Sequence, residues 1–280
     1  MENKLIFATL GTAFAVVSHR VKRWLDFDAT VTRYTLPDDR WRGQGDLRIA
    51  LVSDFHGGSD MWSGKSLAKV VLKEKVDLVC VTGDHFDPDQ YGVESFGFLE
   101  EIAKHHPVYF VTGNNEEKLP VKNVLNIIRR YGVHVLNNEM QRVPVRGAMV
   151  DILGLRDYAA FAGKEEWRWE IQQSLKKVED NGHYHIVLCH RPEMVDLFRE
   201  LKAHVVLSGH AHGGQWCVGK RQGIFAPGQG FFPKYTKGIY QIGKKEKMHL
   251  IVSTGFSVET WIPRIRNKPE LVIIDIKACQ

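Results

Sequence analysis

Short, nearly continuous apolar runs organise this chain, and each one stops abruptly on a polar or glycine-led cluster. Leu47-Arg48-Ile49-Ala50-Leu51-Val52 stops at Ser53-Asp54-Phe55-His56, Leu78-Val79-Cys80-Val81 at Gly83-Asp84, and Val108-Tyr109-Phe110-Val111 at Gly113-Asn114. Runs of this length read as buried strands feeding loops. Helical segments near 63–75 and 93–104 separate them, which predicts the strand–loop–helix alternation of an α/β sheet. An extended stretch from Ala29 to Leu36 comes before. In the second half, strands are expected near 140–146 and 149–155, then a helix carrying Trp167 and Trp169. His185-Ile186-Val187-Leu188-Cys189-His190 and Val205-Val206-Leu207 follow, each closing on a histidine or a glycine–histidine. From Trp216 onward short strands alternate with Gly/Pro turns, up to a final strand over residues 270–276. Two such halves, each a sheet with helices outside, predict a sandwich whose strand ends converge on one rim.

The N-terminus breaks this pattern. Residues 5–18 carry no charge, yet the run is shorter than the about 20 residues of a spanning helix. Arg20, Lys22 and Arg23 follow it, whereas only Lys4 precedes it, offset by Glu2. Positive charge on the C-terminal flank favours keeping that flank in the cytosol. Residues 1–24 are therefore expected to be an uncleaved membrane-associated helix with its basic flank, and residues 25–280 a single domain on the cytosolic side. A secretory signal cleaved near Ala13-Phe14-Ala15 and a helix docked on the core are the alternatives. With 280 residues the chain can bury a sizeable core. A net charge of +5 suits an anionic substrate or an anionic membrane surface, and no basic cluster with interleaved aromatics points to nucleic acid. The cysteines at 80, 189, 217 and 279 have no paired or metal-type spacing and read as free thiols.

The strand ends carry the chemistry. Open α/β folds place ligands at the carboxyl ends of strands. Here those ends deliver Asp54 and His56, Asp84, Asn114, His190, and His210 with His212. A lone strand-end histidine is more often a hydrogen-bonded structural residue than a ligand. Five segments in order, each supplying a carboxylate, imidazole or amide, are what two neighbouring divalent ions require. The Asp54-x-His56 spacing is expected to put both side chains on one side of an extended segment, with Gly83, Gly113 and Gly209 leaving room for the residues that follow.

The motifs Asp54-Phe55-His56, Gly83-Asp84-His85-Phe86-Asp87, Gly113-Asn114-Asn115-Glu116, His190 and Gly209-His210-Ala211-His212 resemble those of the calcineurin-like metallophosphoesterases. Gly213-Gly214-Gln215, residues 226–230 and residues 266–270 resemble the bacterial membrane-associated branch that includes the YkuE- and YaeI-type phosphoesterases. The resemblance implies two mixed sheets face to face, flanked by helices in a four-layer α/β/β/α sandwich, with a dinuclear metal site at the strand ends. Position by position it implies one ion on Asp54, His56, Asp84 and His212, and another on Asp84, Asn114, His190 and His210. Asp84 bridges the two in that scheme. The ions are divalent Mn, Fe, Zn or Co, and a hydroxide between them is expected to attack phosphorus in line with the leaving oxygen.

One position departs from the family. Histidine usually follows the ligand asparagine, contacts the phosphoryl group and protonates the leaving group, oriented by an aspartate at the place of Asp87; here the residue is Asn115. Asn115, expected to be held by Asp87, can donate a hydrogen bond but no proton. Either another group is the acid, His85 being nearest in sequence, or the leaving group needs little help. The second case fits phosphodiesters and pyrophosphates, including a lipid-linked substrate such as UDP-diacylglucosamine, for which the family has precedent. A phosphomonoesterase and a non-catalytic metal-binding scaffold are the alternatives. Arg191, Arg264, Arg266 and Lys234 are candidate contacts for substrate phosphate, with Arg156 in a similar position, and Phe231-Phe232-Pro233 is a candidate lipid contact. A monomer acting on a phosphorylated small molecule or lipid is expected.

Overall fold

The computed structural model describes residues 29–58, 62–89, 92–199, 201–218, 222–243, 247–257 and 264–278. The apolar run at 5–18, the 1–24 segment and Cys279 lie outside the described residues. Among the described residues, no helix is long and apolar enough to cross a membrane.

The first half supplies strands β1 (Thr30–Pro37), β2 (Leu47–Val52), β3 (Leu78–Thr82), β4 (Val108–Val111) and β5 (His134–Val135). Helices α1 (Gly64–Lys73), α2 (Val93–Ala103) and α3 (Val121–Arg130) connect them. The second half supplies β6 (Glu139–Val145), β7 (Ala148–Leu155), helix α4 (Lys164–Leu175), β8 (Tyr184–Cys189), the short α5 (Val195–Phe198) and β9 (Val205–Ser208). After two small ribbons, β10 (Cys217–Val218) with β11 (Gln222–Gly223) and β12 (Phe225–Ala226) with β13 (Gly230–Phe231), come β14 (Gly238–Gln241), β15 (His249–Val252) and β16 (Glu270–Lys277).

Two six-stranded sheets result, ordered β1-β16-β2-β3-β4-β5 and β14-β15-β9-β8-β7-β6. Both are mixed: β16 runs antiparallel to β2 in the first, and β14 and β6 run antiparallel to β15 and β7 in the second. The final strand thus returns to the first half, where it separates β1 from β2.

The apolar runs are continuous because both faces of each strand are covered. Along β2, Leu47, Ile49 and Leu51 join a core between the sheets, while Ala50 and Val52 join a core under α1, α2 and α3. The period of two repeats in β8, where Ile186 and Leu188 face the other sheet and Val187 and Cys189 face α4 and α5. Three apolar layers alternate with the secondary structure to give an α/β/β/α sandwich. The sheets approach closely: a Cβ on Gly154 of β7 would lie 2.2 Å from Leu136 Cβ. Cys80, Cys189 and Cys217 are free and buried.

Candidate metal centre

The carboxyl ends of β2, β3, β4, β8 and β9 meet on one rim, and the loops that leave them are hydrogen-bonded to one another. Asp54 N–H donates to Gly83 O, His56 N–H to Asp84 O and Gly209 N–H to His190 O. The Asp54-x-His56 segment is not extended as its spacing predicts. Asp54, His56, Asp84, His210 and His212 all have φ between 45° and 61°, the left-handed region that costs a non-glycine residue energy. Each strand turns sharply where it delivers its polar side chain. Glycines matter here because the loops touch. A Cβ on Gly113 would sit 2.3 Å from Asp84 Oδ1, and one on Gly209 would sit 1.7 Å from Ser53 Oγ.

This folding produces two triads, Asp54, His56 and His212, and Asp84, His190 and His210, with the ligand-capable atoms of each within 4.8 Å of one another. Asp84 Oδ2 lies 3.4 Å from His190 Nε2 and 4.0 Å from His56 Nε2, so its carboxylate stands between the triads. Asp54 Oδ1 is 3.6 Å from His212 Nε2. Asn114 borders the second triad through Arg191, whose guanidinium lies 3.5 Å from Asn114 Oδ1 and 3.0 Å from His210 Nε2.

Metal ions fit these residues. His56 Nε2, His190 Nε2 and His210 Nδ1 are buried and make no hydrogen bond. Leaving such an atom unsatisfied costs about 1–3 kcal/mol, whereas a cation at each triad satisfies all three. The opposite nitrogens are held. His190 Nδ1–H donates to Thr82 O at 2.7 Å, which leaves a lone pair on Nε2. His212 Nδ1 pairs with Ser257 Oγ at 2.5 Å, and His56 Nδ1 lies 3.1 Å from Asn115 Nδ2 and 3.4 Å from Asp87 Oδ2. Supports of this kind orient metal-binding imidazoles.

The buried charges of the two triads perturb one another, and without a cation the Asp84 carboxylate draws a proton onto His190 where a metal ion would otherwise supply the positive charge. Burial pushes the Asp54 carboxyl up, against the pull of His190. For Asp84, burial is outweighed by His190 and His56, which hold its carboxyl well below the usual carboxylate range. Burial of His190 is in turn outweighed by Asp84, which pushes its imidazole up to about 10. His210 and His212 are held far below 6.5, first by burial and then by neighbouring cationic groups, so both keep the neutral form that a metal ligand needs.

Several side chains outside the sequence-based ligand set hold the centre. Glu116 is fully buried and accepts four backbone N–H groups, from Asp84 (2.9 Å), His85 (2.7 Å), Phe86 (2.9 Å) and Gly113 (2.7 Å). Asp157 fixes Arg191 through two bonds of 2.8 and 3.1 Å. Ser257 holds His212. Asp157 and Ser257 follow β7 and β15 as the predicted ligands follow their strands, so the same strand-end rule reaches them.

Three further sequence-based expectations are corrected. His85 is not positioned as an acid: its side chain is fully buried, stacks on Phe55 and reaches Ser95 O at 3.1 Å. Burial pushes its imidazole down to about 3. Arg264 is 1% exposed and spends its guanidinium on Ser257 O and Thr254 O, so it buttresses the His212 support and does not face substrate. Asn115 is not held by Asp87; both approach His56 Nδ1, and Asn115 Oδ1 accepts from Asn114 and Lys118. Of the remaining cations, Arg191 adjoins the second triad, Lys234 and Arg266 are exposed, and Arg156 is paired with Glu117 at 2.7 Å.

Comparison with known proteins agrees with this geometry. The calcineurin-like phosphoesterase family matches residues 47–214. The chain is 30% identical to the uncharacterized metallophosphoesterase YkoQ of Bacillus subtilis, over 82% of this chain and 83% of that protein. It is 27% identical to the uncharacterized metallophosphoesterase Cj0846 of Campylobacter jejuni over 83% of its own length, and spans 59% of that relative. Phosphodiesterase YaeI of Escherichia coli is 22% identical over 73% of this chain and 72% of its own. Among solved structures, TT1561 of Thermus thermophilus shares the fold with a TM-score of 0.52 at 16% identity, covering 75% of this chain and 90% of that one.

Proposed function

The chain belongs to the calcineurin-like phosphoesterase family, and on that premise we propose that it is a dinuclear-metal phosphodiesterase or pyrophosphatase acting on substrates at a membrane surface. The observation that carries the dinuclear reading is the Asp84 carboxylate between two triads whose imidazoles present three buried, unsatisfied nitrogens. Asp54, His56 and His212 would hold one ion, and Asn114, His190 and His210 the other, with Asp84 shared. Two such ions, when bound, would supply positive charge for the phosphoryl oxygens and a more acidic water as nucleophile.

The chain's own residues do the rest. Left-handed backbone at five of the ligands and the Glu116 clamp fix the centre before substrate arrives, so little reorganisation is left to the transition state. Arg191, held by Asp157 and facing the second triad, would meet a substrate oxyanion. Asn115 carries an amide beside His56, and His85 is out of reach, so neither is a proton donor to a leaving group. This favours acidic leaving groups, as in diesters of acidic alcohols and in pyrophosphates, over alkyl monoesters.

The membrane-proximal reading rests on placement. β1 begins at the metal rim, where Thr30 N–H donates to Pro269 O, and the apolar run at 5–18 and the basic residues at 20–23 precede it in sequence. The β12–β13 ribbon presents Phe231 (73% exposed) and Phe232 (70% exposed). A Cβ on its Gly228 would lie 2.1 Å from Glu193, whose carboxylate is 4.0 Å from His210. A lipid-linked phosphodiester or pyrophosphate, which joins an apolar tail to a phosphoryl group, would suit both features.

Hydrolysis of bis-p-nitrophenyl phosphate against p-nitrophenyl phosphate by the Mn-loaded protein tests the reading. Diester turnover that exceeds monoester turnover and is lost in Asp84→Asn is expected; full metal occupancy without turnover would leave a scaffold. A series of aryl phosphodiesters should show rates that fall steeply as the leaving-group pKa rises, and a flat series would remove the missing-acid argument.

A further inference from the structure

The second sheet has another polar end. Opposite the metal rim, where β8 and β9 begin, a cavity of about 220 Å³ is lined by Arg40, Arg42, His183, His185, Lys202 and His204, with Asp180 beside them. It exceeds the roughly 150 Å³ of a cavity that accepts benzene. From His185 to His190 the chain runs along β8 for about 17 Å, so this is not the metal site.

The lining is rich in donors and rigid. His204 Nδ1 accepts the His185 backbone N–H at 2.8 Å, which puts the ring proton on Nε2. His185 is 3% exposed, yet neither of its ring nitrogens makes a well-formed hydrogen bond: the backbone of Glu179 is its only nearby main-chain partner and the nearest carboxylate, Asp151, is 3.9 Å away. A buried imidazole in this condition calls for a partner. The rings cannot turn away easily, because Tyr184, His204 and His185 stack with centroids 4.5 and 5.5 Å apart. Arg40 is locked by two bonds to Asp38, of 2.7 and 2.8 Å, and Asp38 is itself held by the Tyr184 hydroxyl at 3.0 Å. Arg42 is exposed, and so is Lys202, which sits 3.2 Å from Asp180. Guanidinium, ammonium and imidazole N–H groups thus arrive from three segments: the loop after β1, the start of β8 and the approach to β9. Donors from several directions suit a tetrahedral oxyanion better than a planar carboxylate.

We infer that this cavity is a second anion site that binds a phosphate dianion, either free phosphate or the phosphoryl group of a small phosphomonoester. The inference goes beyond the proposed hydrolysis and does not depend on it.

Titration calorimetry of the metal-loaded protein with inorganic phosphate, and separately with glycerol 1-phosphate, tests it against Arg42→Glu/Lys202→Glu. Both substituted side chains are exposed and remote from the metal rim, so metal content, unfolding midpoint and diester turnover should match the wild type. Expected is a binding event with Kd below about 1 mM in the wild type, beyond any at the metal centre, weakened about tenfold or more in the double variant. Tighter binding of phosphate identifies the free ion as the ligand; tighter binding of glycerol 1-phosphate identifies the ester. A wild type with no such event, or an event of equal strength in the double variant, overturns the inference.

Discussion

Replacing Glu116 by glutamine should damage the centre without touching a ligand. The Glu116 carboxylate accepts two N–H groups on each oxygen: His85 and Phe86 on Oε1, Asp84 and Gly113 on Oε2. Glutamine keeps the volume but has one acceptor oxygen, so two of these bonds are lost and two backbone donors face an NH2 group. At about 1–3 kcal/mol for each unsatisfied buried donor, the loss is about 2–6 kcal/mol. For a chain of this size, about 2–4 °C per kcal/mol places the midpoint roughly 4–24 °C below wild type. Glu116→Ala frees all four donors and should cost about 4–12 kcal/mol, comparable to the whole stability of a domain, so little folded protein is expected. Thermal unfolding followed by circular dichroism, at one fixed metal concentration because bound metal also stabilises, is the assay. Diester turnover should fall at least tenfold in Glu116→Gln, since the loops that carry Asp84 and Asn114 lose their common anchor. A variant that melts within about 1 °C of wild type and turns over at the same rate would refute the clamp.

Other perturbations probe separate parts of the molecule. Asn115→His should raise turnover of diesters with poor, alkyl leaving groups at least tenfold while leaving aryl diesters nearly unchanged, and it should add a titration near pH 6.5 to the rate profile. Ser257→Ala removes the partner of His212 Nδ1 and should weaken metal binding about 10–100-fold, read by competition with a chromogenic chelator. Burial pushes the Asp151 carboxyl up, but hydrogen bonds from Arg142, Asn181 and His183 hold it at about 2, below its unfolded value of 3.8. Its contribution to stability is present above pH 4 and is lost as pH falls to about 2, so Asp151→Asn should flatten the denaturation midpoint against pH across that window.

Much of the architecture was legible because buried strands cannot disguise themselves. The runs at 47–52, 78–82 and 184–189 are apolar on both faces and end where the strands end. Helix α3 went unread, although Val124, Leu125 and Ile128 form its buried face, since its charged residues at 122, 129 and 130 make it resemble a surface loop. The return of β16 between β1 and β2 is a tertiary choice that no local pattern encodes. At the rim, sequence reasoning found the side chains but not their backbone. An extended Asp54-x-His56 follows from spacing alone, whereas the left-handed turns become visible only once Gly83, Gly113 and Gly209 are seen pressed against their neighbours. His85 and Arg264 were misplaced for the opposite reason. A polar residue near a motif is presumed to face solvent, yet both are buried where hydrogen bonds to main-chain carbonyls replace water.

On the proposed function, Asp84 would join two metal positions into one centre. Metal content per chain, measured by inductively coupled plasma mass spectrometry after Mn loading and exhaustive dialysis, tests it directly. Two ions per wild-type chain and at most one in Asp84→Asn are expected. A wild-type chain that retains one ion or none, or an Asp84→Asn chain that still retains two, would contradict it.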